Sequence, residues 1–303
     1  MTKPTHPFAQ RLAFNADLIE THLAREFDQF EGIPERLLDA MRLAALGGGK
    51  RFRPFLVLEC AAIFGAEREH VLPVAASLEL VHCYSLVHDD LPAMDNDKLR
   101  RGRPTVWAAF DEWTAILAGD ALLTLAFEMI ARPTEHSTAD TRCELAYELA
   151  RAAGPAGMVG GQCLDLQSDK LGEPLEPDAS YVRRMQSLKT GALLQFACEA
   201  GARVAGAPAS HCAAMRKFGG YIGYAFQIAD DLLDIESTPE TLGKATGKDQ
   251  AAGKATLVEL LGQNEARAKL EQIKVAALDV LSPYGSAANV LRNATHFVVT
   301  RKY

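Results

Sequence analysis

Several features that would place this chain in a simple class are absent from it. Its six cysteines show no CxxC pair and no zinc-type spacing, which disfavours a disulfide framework or a structural zinc site. Residues 1–10 lack a basic start followed by an apolar run, so we expect no secretory signal. No uninterrupted apolar stretch reaches the roughly 18 residues that span a bilayer. We therefore expect a soluble, cytoplasmic protein with mostly buried free thiols.

An excess of positive charge is also absent. The 303 residues include 32 Lys and Arg against 39 Asp and Glu, and the resulting net charge of −7 disfavours nucleic acid as the main partner. The basic residues are instead concentrated in short motifs, as expected for a small anionic ligand. No alternating β-branched run indicates a sheet, and no fixed-period repeat is present.

Helical periodicity dominates the sequence. In the first segment apolar residues recur at three-, four- and seven-residue spacing and predict one buried face: Leu12, Ile19, Leu23, Phe27 and Phe30. Stretches rich in Ala and Leu follow at 115–130, 145–153 and 192–205, and they favour helix by propensity. Breaks are predicted at 154–161, 171–178 and 236–256; the last is either a surface connection or a lid. The prediction is an all-α fold with a single domain over residues 1–303.

Two aspartate clusters carry the most information about chemistry. They are Asp89-Asp90-Leu91-Pro92-Ala93-Met94-Asp95 and Asp230-Asp231-Leu232-Leu233-Asp234. Unpaired, three carboxylates in a short apolar stretch would repel one another and resist burial. A divalent metal explains both clusters most simply, and carboxylate ligands point to Mg²⁺ with a phosphorylated ligand. The alternative is that each cluster is an acidic helix end that caps a neighbour or faces water.

Helix geometry predicts which side chains of the second cluster share a face. Asp230 and Asp234 are four residues apart, and Gln227 lies three residues before Asp230 and seven before Asp234. Spacings of three, four and seven fall on one side of a helix that turns about 100° per residue. Two carboxylates and one amide are therefore expected to point into the same cavity.

The first cluster does not fit a continuous helix. Asp89 and Asp95 are six residues apart, which places them about 120° out of register on an ideal helix. Pro92 disfavours helix at the residue before it, so the helix is expected to bulge or end there and bring Asp95 back toward Asp89. Upstream, His82 and Ser85 align with Asp89 and are predicted to form a ladder into the same space.

The motifs together resemble the trans-isoprenyl diphosphate synthase family, and within it the bacterial farnesyl diphosphate synthases. The resemblance rests on both aspartate clusters, on their order along the chain and on further motifs: Gly49-Lys50-Arg51-Phe52-Arg53-Pro54, Leu99-Arg100-Arg101-Gly102-Arg103-Pro104-Thr105, Gly160-Gly161-Gln162-Cys163-Leu164-Asp165-Leu166 and Lys189-Thr190-Gly191. It implies an all-α bundle of roughly ten or more helices around a deep central cavity, usually as a homodimer.

The resemblance also implies the residues of the site. Several Mg²⁺ ions would bridge the substrate diphosphate to Asp89, Asp90, Asp95, Asp230, Asp231 and Asp234, with Asp165 as a supporting acid oriented by Gln162. The allylic diphosphate site would comprise Arg100, Lys189, Thr190, Gln227, Lys244 and Lys254. Catalytic roles would fall on Lys189, Thr190, Gln227 and Arg100. The isopentenyl diphosphate site would comprise Lys50, Arg53, His82 and Arg101, closed by the C-terminal Arg301-Lys302.

The implied reaction is a Mg²⁺-dependent head-to-tail condensation of isopentenyl diphosphate with dimethylallyl and geranyl diphosphate. Tyr84 and Ser85, five and four residues before the first cluster, match the positions that form the floor of the product cavity. A bulky Tyr84 would limit the product at farnesyl length. The alternatives are a geranylgeranyl diphosphate synthase, a terpene cyclase, or a non-catalytic binding subunit with the same fold.

Overall fold

The computed structural model describes residues 7–174, 177–236 and 256–300, and it is almost entirely helical. The first helices are α1 (Pro7–Asp28), α2 (Glu35–Ala45), α3 (Phe52–Ile63), α4 (Arg68–Asp89), α5 (Val106–Ala109), α6 (Glu112–Ala131) and α7 (Ala139–Ala153). They are followed by α8 (Met158–Leu166), α9 (Ala179–Gln186), α10 (Ala192–Val204), α11 (Ala209–Glu236), α12 (Leu257–Leu261), α13 (Gln263–Leu281) and α14 (Asn289–Thr300). The predicted all-α class is confirmed.

Short irregular pieces interrupt these helices. A π-helical segment follows α8 at Gln167–Leu171, another joins α9 to α10 at Ser187–Gly191, and a 3₁₀ segment joins α13 to α14 at Ser282–Ala288. Within the described ranges the only strands are β1 (Leu99–Arg100) and β2 (Arg103–Pro104), which pair antiparallel. These two strands form a hairpin inside one of the basic motifs.

The chain divides into two compact units, and the first contains residues 1–147 and 200–207. Its core is built by α4, which packs against α3 and α6. Alanines on both α4 and α6 allow a close approach, among them Ala75, Ala118 and Ala126, which are fully buried. Both helices are apolar enough to cross a bilayer by length and composition, but 67% and 50% of those windows are buried inside the protein, as in core helices of soluble proteins.

The second unit contains residues 148–199 and 208–303. Its longest helix, α11, packs against α13 and α14. The buried residues of α11 recur every three or four positions, as an amphipathic helix requires: Cys212, Met215, Phe218, Ile222, Ala225, Ala229 and Leu232. The opposite side of the same helix is therefore available for the polar residues of the second aspartate cluster.

Most of the predicted elements are confirmed, with two corrections. The predicted face of α1 is buried at Leu12, Ile19, Leu23 and Phe27, but Phe30 lies beyond the helix end and is only half-buried. The break predicted at 154–161 is shorter, because α8 begins at Met158 and includes both glycines of the Gly160-Gly161 pair. Four of the six free cysteines are buried, as expected, while Cys143 and Cys163 are exposed.

Candidate functional site

The first aspartate cluster lies at the end of α4. The helix ends at Asp89, and the chain then turns so that the Asp95 amide donates to the Asp89 carbonyl at 2.8 Å. Pro92 within this turn cannot supply an amide to continue the helix. The predicted helix end and the return of Asp95 toward Asp89 are therefore confirmed. Asp89 is half-buried and Asp95 is exposed, so the two residues lie at a surface that a ligand can reach.

Asp90 has a different environment from its neighbours in the cluster. It is only 3% exposed. Arg100 donates two hydrogen bonds to its Oδ1, from Nε at 2.9 Å and from Nη2 at 2.7 Å. Burial raises the pKa of Asp90, and the hydrogen bonds and charge of Arg100 oppose that rise. Arg100 stands on β1, in a hairpin whose two turn residues Arg101 and Gly102 both have positive φ. The hairpin thus holds the Arg100 guanidinium next to the first cluster.

The basic motif Gly49-Lys50-Arg51-Phe52-Arg53-Pro54 follows α2, and it too begins in a turn whose residues have positive φ. Gly48 and Gly49 have φ of 76° and 124°, values that favour glycine. Arg101 donates from Nη1 to the Gly48 carbonyl, and a Cβ at Gly49 would overlap the Arg101 guanidinium. The structure therefore brings Arg101 against the turn that carries the exposed Lys50.

The remaining residues predicted for the isopentenyl diphosphate site are close to this turn. Arg53 belongs to the first turn of α3, and its Nη1 lies 3.3 Å from Nε2 of His82 on α4. Burial lowers the pKa of His82 well below its ordinary value, and the charges of Arg53 and Arg101 lower it further. A neutral His82 can accept a hydrogen bond from Arg53.

The residues predicted to line the product floor lie on the same helix. Tyr84 is 7% exposed, and its ring meets the His88 ring edge-on with centroids 5.8 Å apart. The Ser85 hydroxyl donates to the His82 carbonyl at 2.9 Å, so it is turned back toward its own helix. This hydroxyl therefore satisfies a backbone group of α4.

In the second unit, a pocket of about 250 Å³ gathers five of the predicted site residues with others at its wall. These five are Asp165, Lys189, Thr190, Gln227 and Asp231. Lys189 Nζ lies 2.6 Å from Oδ2 of Asp165, which is almost fully buried. Lys189 and Thr190 belong to the π-helical segment 187–191, and such insertions recur at functional sites. Asp165 was predicted as a supporting acid, and in the structure its carboxylate forms an ion pair with Lys189.

Close backbone packing sets the position of the π-helical segment. Gly161 on α8 lies against it, and a Cβ at Gly161 would come within 2.6 Å of the Lys189 Cα and 2.8 Å of the Leu188 carbonyl carbon. Only glycine leaves room for this approach. Gly161 therefore serves helix packing beside Lys189, and a Cβ at its neighbour Gly160 would instead overlap the Pro155 carbonyl.

Asp231 connects α11 to the end of α9 and to the start of α12. Its Oδ2 accepts from Gln186 Nε2 at 3.2 Å and from the Leu257 amide at 3.2 Å. Gln186 is a site residue that the sequence analysis missed, although it precedes Lys189 by three residues and so falls on the same helical side. Asp230 is half-buried and Asp234 is exposed. Lys244, Lys254, Arg301 and Lys302 lie outside the described residues.

The acidic residues fit a metal that is shared with a ligand. Among the described residues no three His, Cys, Asp or Glu side chains converge closely enough to hold an ion by themselves. Mg²⁺ is usually bound by one or two carboxylates together with substrate phosphates rather than by an all-protein cage. The carboxylates of Asp89 and Asp95 in the first unit, and of Asp230 and Asp234 in the second unit, are exposed or half-buried, so each unit has carboxylate oxygens that such a ligand can reach.

Comparison with known proteins identifies relatives along most of the chain. The family model described as polyprenyl synthetase matches residues 34–279. The chain is 44% identical over 254 residues to the farnesyl diphosphate synthase of Geobacillus stearothermophilus, covering 83% of this chain and 84% of that protein. It is 40% identical over 270 residues to the geranylgeranyl diphosphate synthase of Cyanophora paradoxa, covering 89% of each. The apo crystal structure of an FPP/GFPP synthase from Zymomonas mobilis matches with a TM-score of 0.85 at 41% identity, covering 96% of this chain and 100% of that one.

Proposed function

Since this chain belongs to the polyprenyl synthetase family and is a short-chain prenyl diphosphate synthase, we propose that its product is farnesyl diphosphate. It would condense isopentenyl diphosphate first with dimethylallyl diphosphate and then with geranyl diphosphate, releasing pyrophosphate each time. The observation that carries this proposal is the pocket that gathers Lys189, Thr190, Gln227 and two acids. A lysine and two acids at one pocket suit a diphosphate bound together with a divalent metal.

The barrier in this reaction is the separation of charge. The allylic C–O bond breaks with its electron pair leaving on pyrophosphate, the double bond of isopentenyl diphosphate attacks the resulting cation, and a proton then leaves the new carbon chain. Fixed positive charge around the departing diphosphate stabilises the transition state. Lys189, held by Asp165, and Arg100, held by Asp90, are oriented before substrate arrives. Lys244 and Lys254 are proposed to add to the same clamp.

Mg²⁺, which the family uses, would supply Lewis-acid stabilisation of the leaving diphosphate when it is bound. Asp89, Asp95, Asp230 and Asp234 would hold it together with the substrate oxygens. Asp90 and Asp231 were predicted as ligands too, and their contacts with Arg100, Gln186 and the Leu257 amide support a role that orients these groups. Several ions, each shared with the diphosphate, remain our expectation.

The carbocation needs dipoles that stabilise it without capturing it. Thr190 and Gln227 both line the pocket and offer a hydroxyl and an amide oxygen. The carbonyl of Lys189 lies in the π-helical segment, where the regular hydrogen-bond spacing of the α-helix is interrupted. No side-chain base is invoked, because the departing pyrophosphate can accept the proton.

The second diphosphate is proposed to bind at Lys50, Arg53, His82 and Arg101. Two contacts support a common site for these residues. Arg53 contacts His82, and Arg101 contacts the turn at Gly48 and Gly49. A neutral His82 can accept from Arg53 and so fix the direction of its guanidinium.

Product length is proposed to depend on Tyr84. Its ring is nearly buried and is supported edge-on by His88, so a growing chain that reaches it would meet a wall that cannot easily move. A geranylgeranyl product is the alternative, since relatives of both specificities match this chain, at 44% and 40% identity. A cytoplasmic homodimer is the expected form of the enzyme, and a non-catalytic subunit is the less favoured alternative.

The test is a product assay with purified protein, Mg²⁺, isopentenyl diphosphate and either dimethylallyl or geranyl diphosphate, followed by chromatography of the dephosphorylated alcohols. Farnesol from both primers, lost on chelation of the metal, is the expected result. Geranylgeraniol as the main product would overturn the product length, and no condensation at all would favour the binding subunit. Tyr84→Ala should shift the product toward longer chains, whereas the exposed Tyr147→Ala should leave it unchanged.

A further inference from the structure

The Lys50-Arg51-Phe52-Arg53 motif contains three cations, and one of them is far more buried than the other two. Lys50 is exposed and Arg53 is half-buried. The Arg51 side chain, in contrast, is only 1% exposed. A group that is buried to this degree within the folded chain cannot contact a diphosphate that arrives from solvent.

All of the outer donors of Arg51 are directed at protein acceptors. Nη1 donates to Glu79 Oε1 on α4 at 2.6 Å. Nη2 donates to Glu20 Oε1 on α1 at 2.7 Å and to the Ala45 carbonyl at the end of α2 at 2.6 Å. One guanidinium therefore ties three helices to the turn that precedes α3. Glu79, whose side chain is 2% exposed, is the deepest of these partners.

The electrostatics of this network favour a permanently charged arginine. Burial by itself would lower the pKa of Arg51, but the attraction of Glu79 and the hydrogen bonds to Glu79 and Glu20 raise it above its ordinary value. Removing one partner of a buried ion pair leaves an uncompensated charge, which is strongly destabilising. Loss of any one charged member of this network should therefore destabilise the first unit.

The backbone of Arg51 connects this network to the predicted substrate contacts. Arg51 has a left-handed φ of 46° and precedes the first residue of α3. Its carbonyl accepts from the Phe55 amide at 3.0 Å, and this is the first hydrogen bond of the helix. Arg53 is the second residue of α3 and meets His82 on α4, three residues after Glu79. Glu79 and His82 thus lie on the same side of α4 and hold Arg51 and Arg53 respectively.

From these contacts we infer that Arg51, fixed by Glu79 and Glu20, is a positioning residue that sets the directions of Lys50 and Arg53 at the isopentenyl diphosphate site. The inference rests on the proposed function. It predicts a selective effect, because the network fixes the turn of the isopentenyl diphosphate site within the first unit, whereas Lys189, Thr190 and Gln227 belong to the second unit.

Glu79→Gln is the first test, because it removes the charge and keeps the size of the side chain. We expect KM for isopentenyl diphosphate to rise about tenfold, with KM for geranyl diphosphate changed less than about twofold. Glu59→Gln is the matched control: Glu59 is also 3% exposed and also accepts from an arginine, Arg11, at 2.7 Å. Both variants are assayed below the midpoint of thermal unfolding of the less stable one.

Arg51→Lys is the second test, because an ammonium keeps the charge but cannot reproduce the planar fork to Glu79 and Glu20. It should raise the same KM and spare the other. The inference is overturned if Arg51→Lys has the wild-type KM, if Glu59→Gln raises KM for isopentenyl diphosphate as much as Glu79→Gln does, or if both substrates are affected equally.

Direct binding separates this inference from the proposed function. Isopentenyl diphosphate is titrated calorimetrically into the wild-type protein and into the three variants Arg51→Lys, Glu79→Gln and Glu59→Gln. A wild-type protein that binds it but condenses nothing refutes the proposed function, and weaker binding by both Arg51→Lys and Glu79→Gln but not by Glu59→Gln still supports the role of Arg51. A wild-type protein that does not bind isopentenyl diphosphate refutes both.

Discussion

Arg100 and Lys189, two of the four cations proposed for the allylic diphosphate, each form an ion pair with a buried carboxylate. Arg100 is held by Asp90, ten residues earlier in the chain, and Lys189 by Asp165, 24 residues earlier. The sequence identified all four residues as members of the site but did not identify these pairs. Helix spacing predicts neighbours three or four residues apart, whereas these pairs depend on a hairpin turn and on the packing of two helices.

His82 provides a prediction about pH. Its folded-state pKa is depressed by burial and by Arg53 and Arg101, while the unfolded chain titrates near the ordinary value of about 6.5. Between these two pKa values the unfolded state binds a proton that the folded state does not. The free energy of unfolding should therefore fall as the pH drops below about 6.5, at up to about 1.4 kcal/mol per pH unit for this one group. Denaturant unfolding between pH 7.5 and 5.0 measures this slope.

His82→Gln should flatten that slope, because glutamine keeps a hydrogen-bonding group near Arg53 and does not titrate. His22 is the matched control, since burial also lowers its pKa but it contacts Glu26 in its own helix. His22→Gln should flatten the slope as well, but only His82→Gln should change the pH dependence of KM for isopentenyl diphosphate. Identical slopes in the wild type and His82→Gln would contradict the assignment of a neutral histidine.

Between elements, the approach of α8 to the π-helical segment 187–191 depends on one glycine. Gly161→Ala would place a methyl group against the backbone of Leu188 and Lys189, and backbone cannot yield as a flexible side chain can. We expect a loss of about 1–3 kcal/mol in the free energy of unfolding. We also expect a lower kcat, since Lys189 and Thr190 would move. Chemical denaturation and steady-state kinetics measure the two effects.

Gly220→Ala is the control for Gly161→Ala. Gly220 is also helical and also lies in the second unit, but the nearest atoms that its Cβ would meet are 3.7 Å away on the Gln195 side chain. Alanine should be tolerated there and can even stabilise the helix, because glycine has the lower helix propensity. Equal losses of stability in the two variants would contradict close packing at Lys189 as the cause of the loss in Gly161→Ala.

The elements differ in how well the sequence predicts them. The end of α4 at the first cluster was predicted because Pro92 restricts the residue before it, and the amide of Asp95 does return to Asp89. The π-helical segments at 167–171 and 187–191 were not predicted. Propensity is nearly the same for α- and π-helical turns, so the extra residue depends on what packs against the segment. The Gly161 contact at Lys189 is such a tertiary cause.

For the whole molecule, the exposed surface of α6 bears on the proposed homodimer. Trp113, Ile116 and Leu117 are 57%, 44% and 49% exposed, and their spacing of three and four places them on one helical side. Soluble monomers seldom expose several large apolar side chains together, so such a patch is typical of an interaction site. The sequence predicted the homodimer from its resemblance alone, since the exposed fraction of a side chain depends on the folded chain.

If a second copy covers this surface, two charges placed on it should separate the subunits. In size-exclusion chromatography with light scattering, we expect the wild type to elute as a dimer and the double variant Ile116→Glu with Leu117→Glu to elute as a monomer. Val275→Glu on α13 is the control, because Val275 is equally exposed at 56% and lies on another helix. Circular dichroism should show that all variants keep their helicity. A dimer in the α6 variant would place the interface elsewhere, and a monomeric wild type would contradict the homodimer itself.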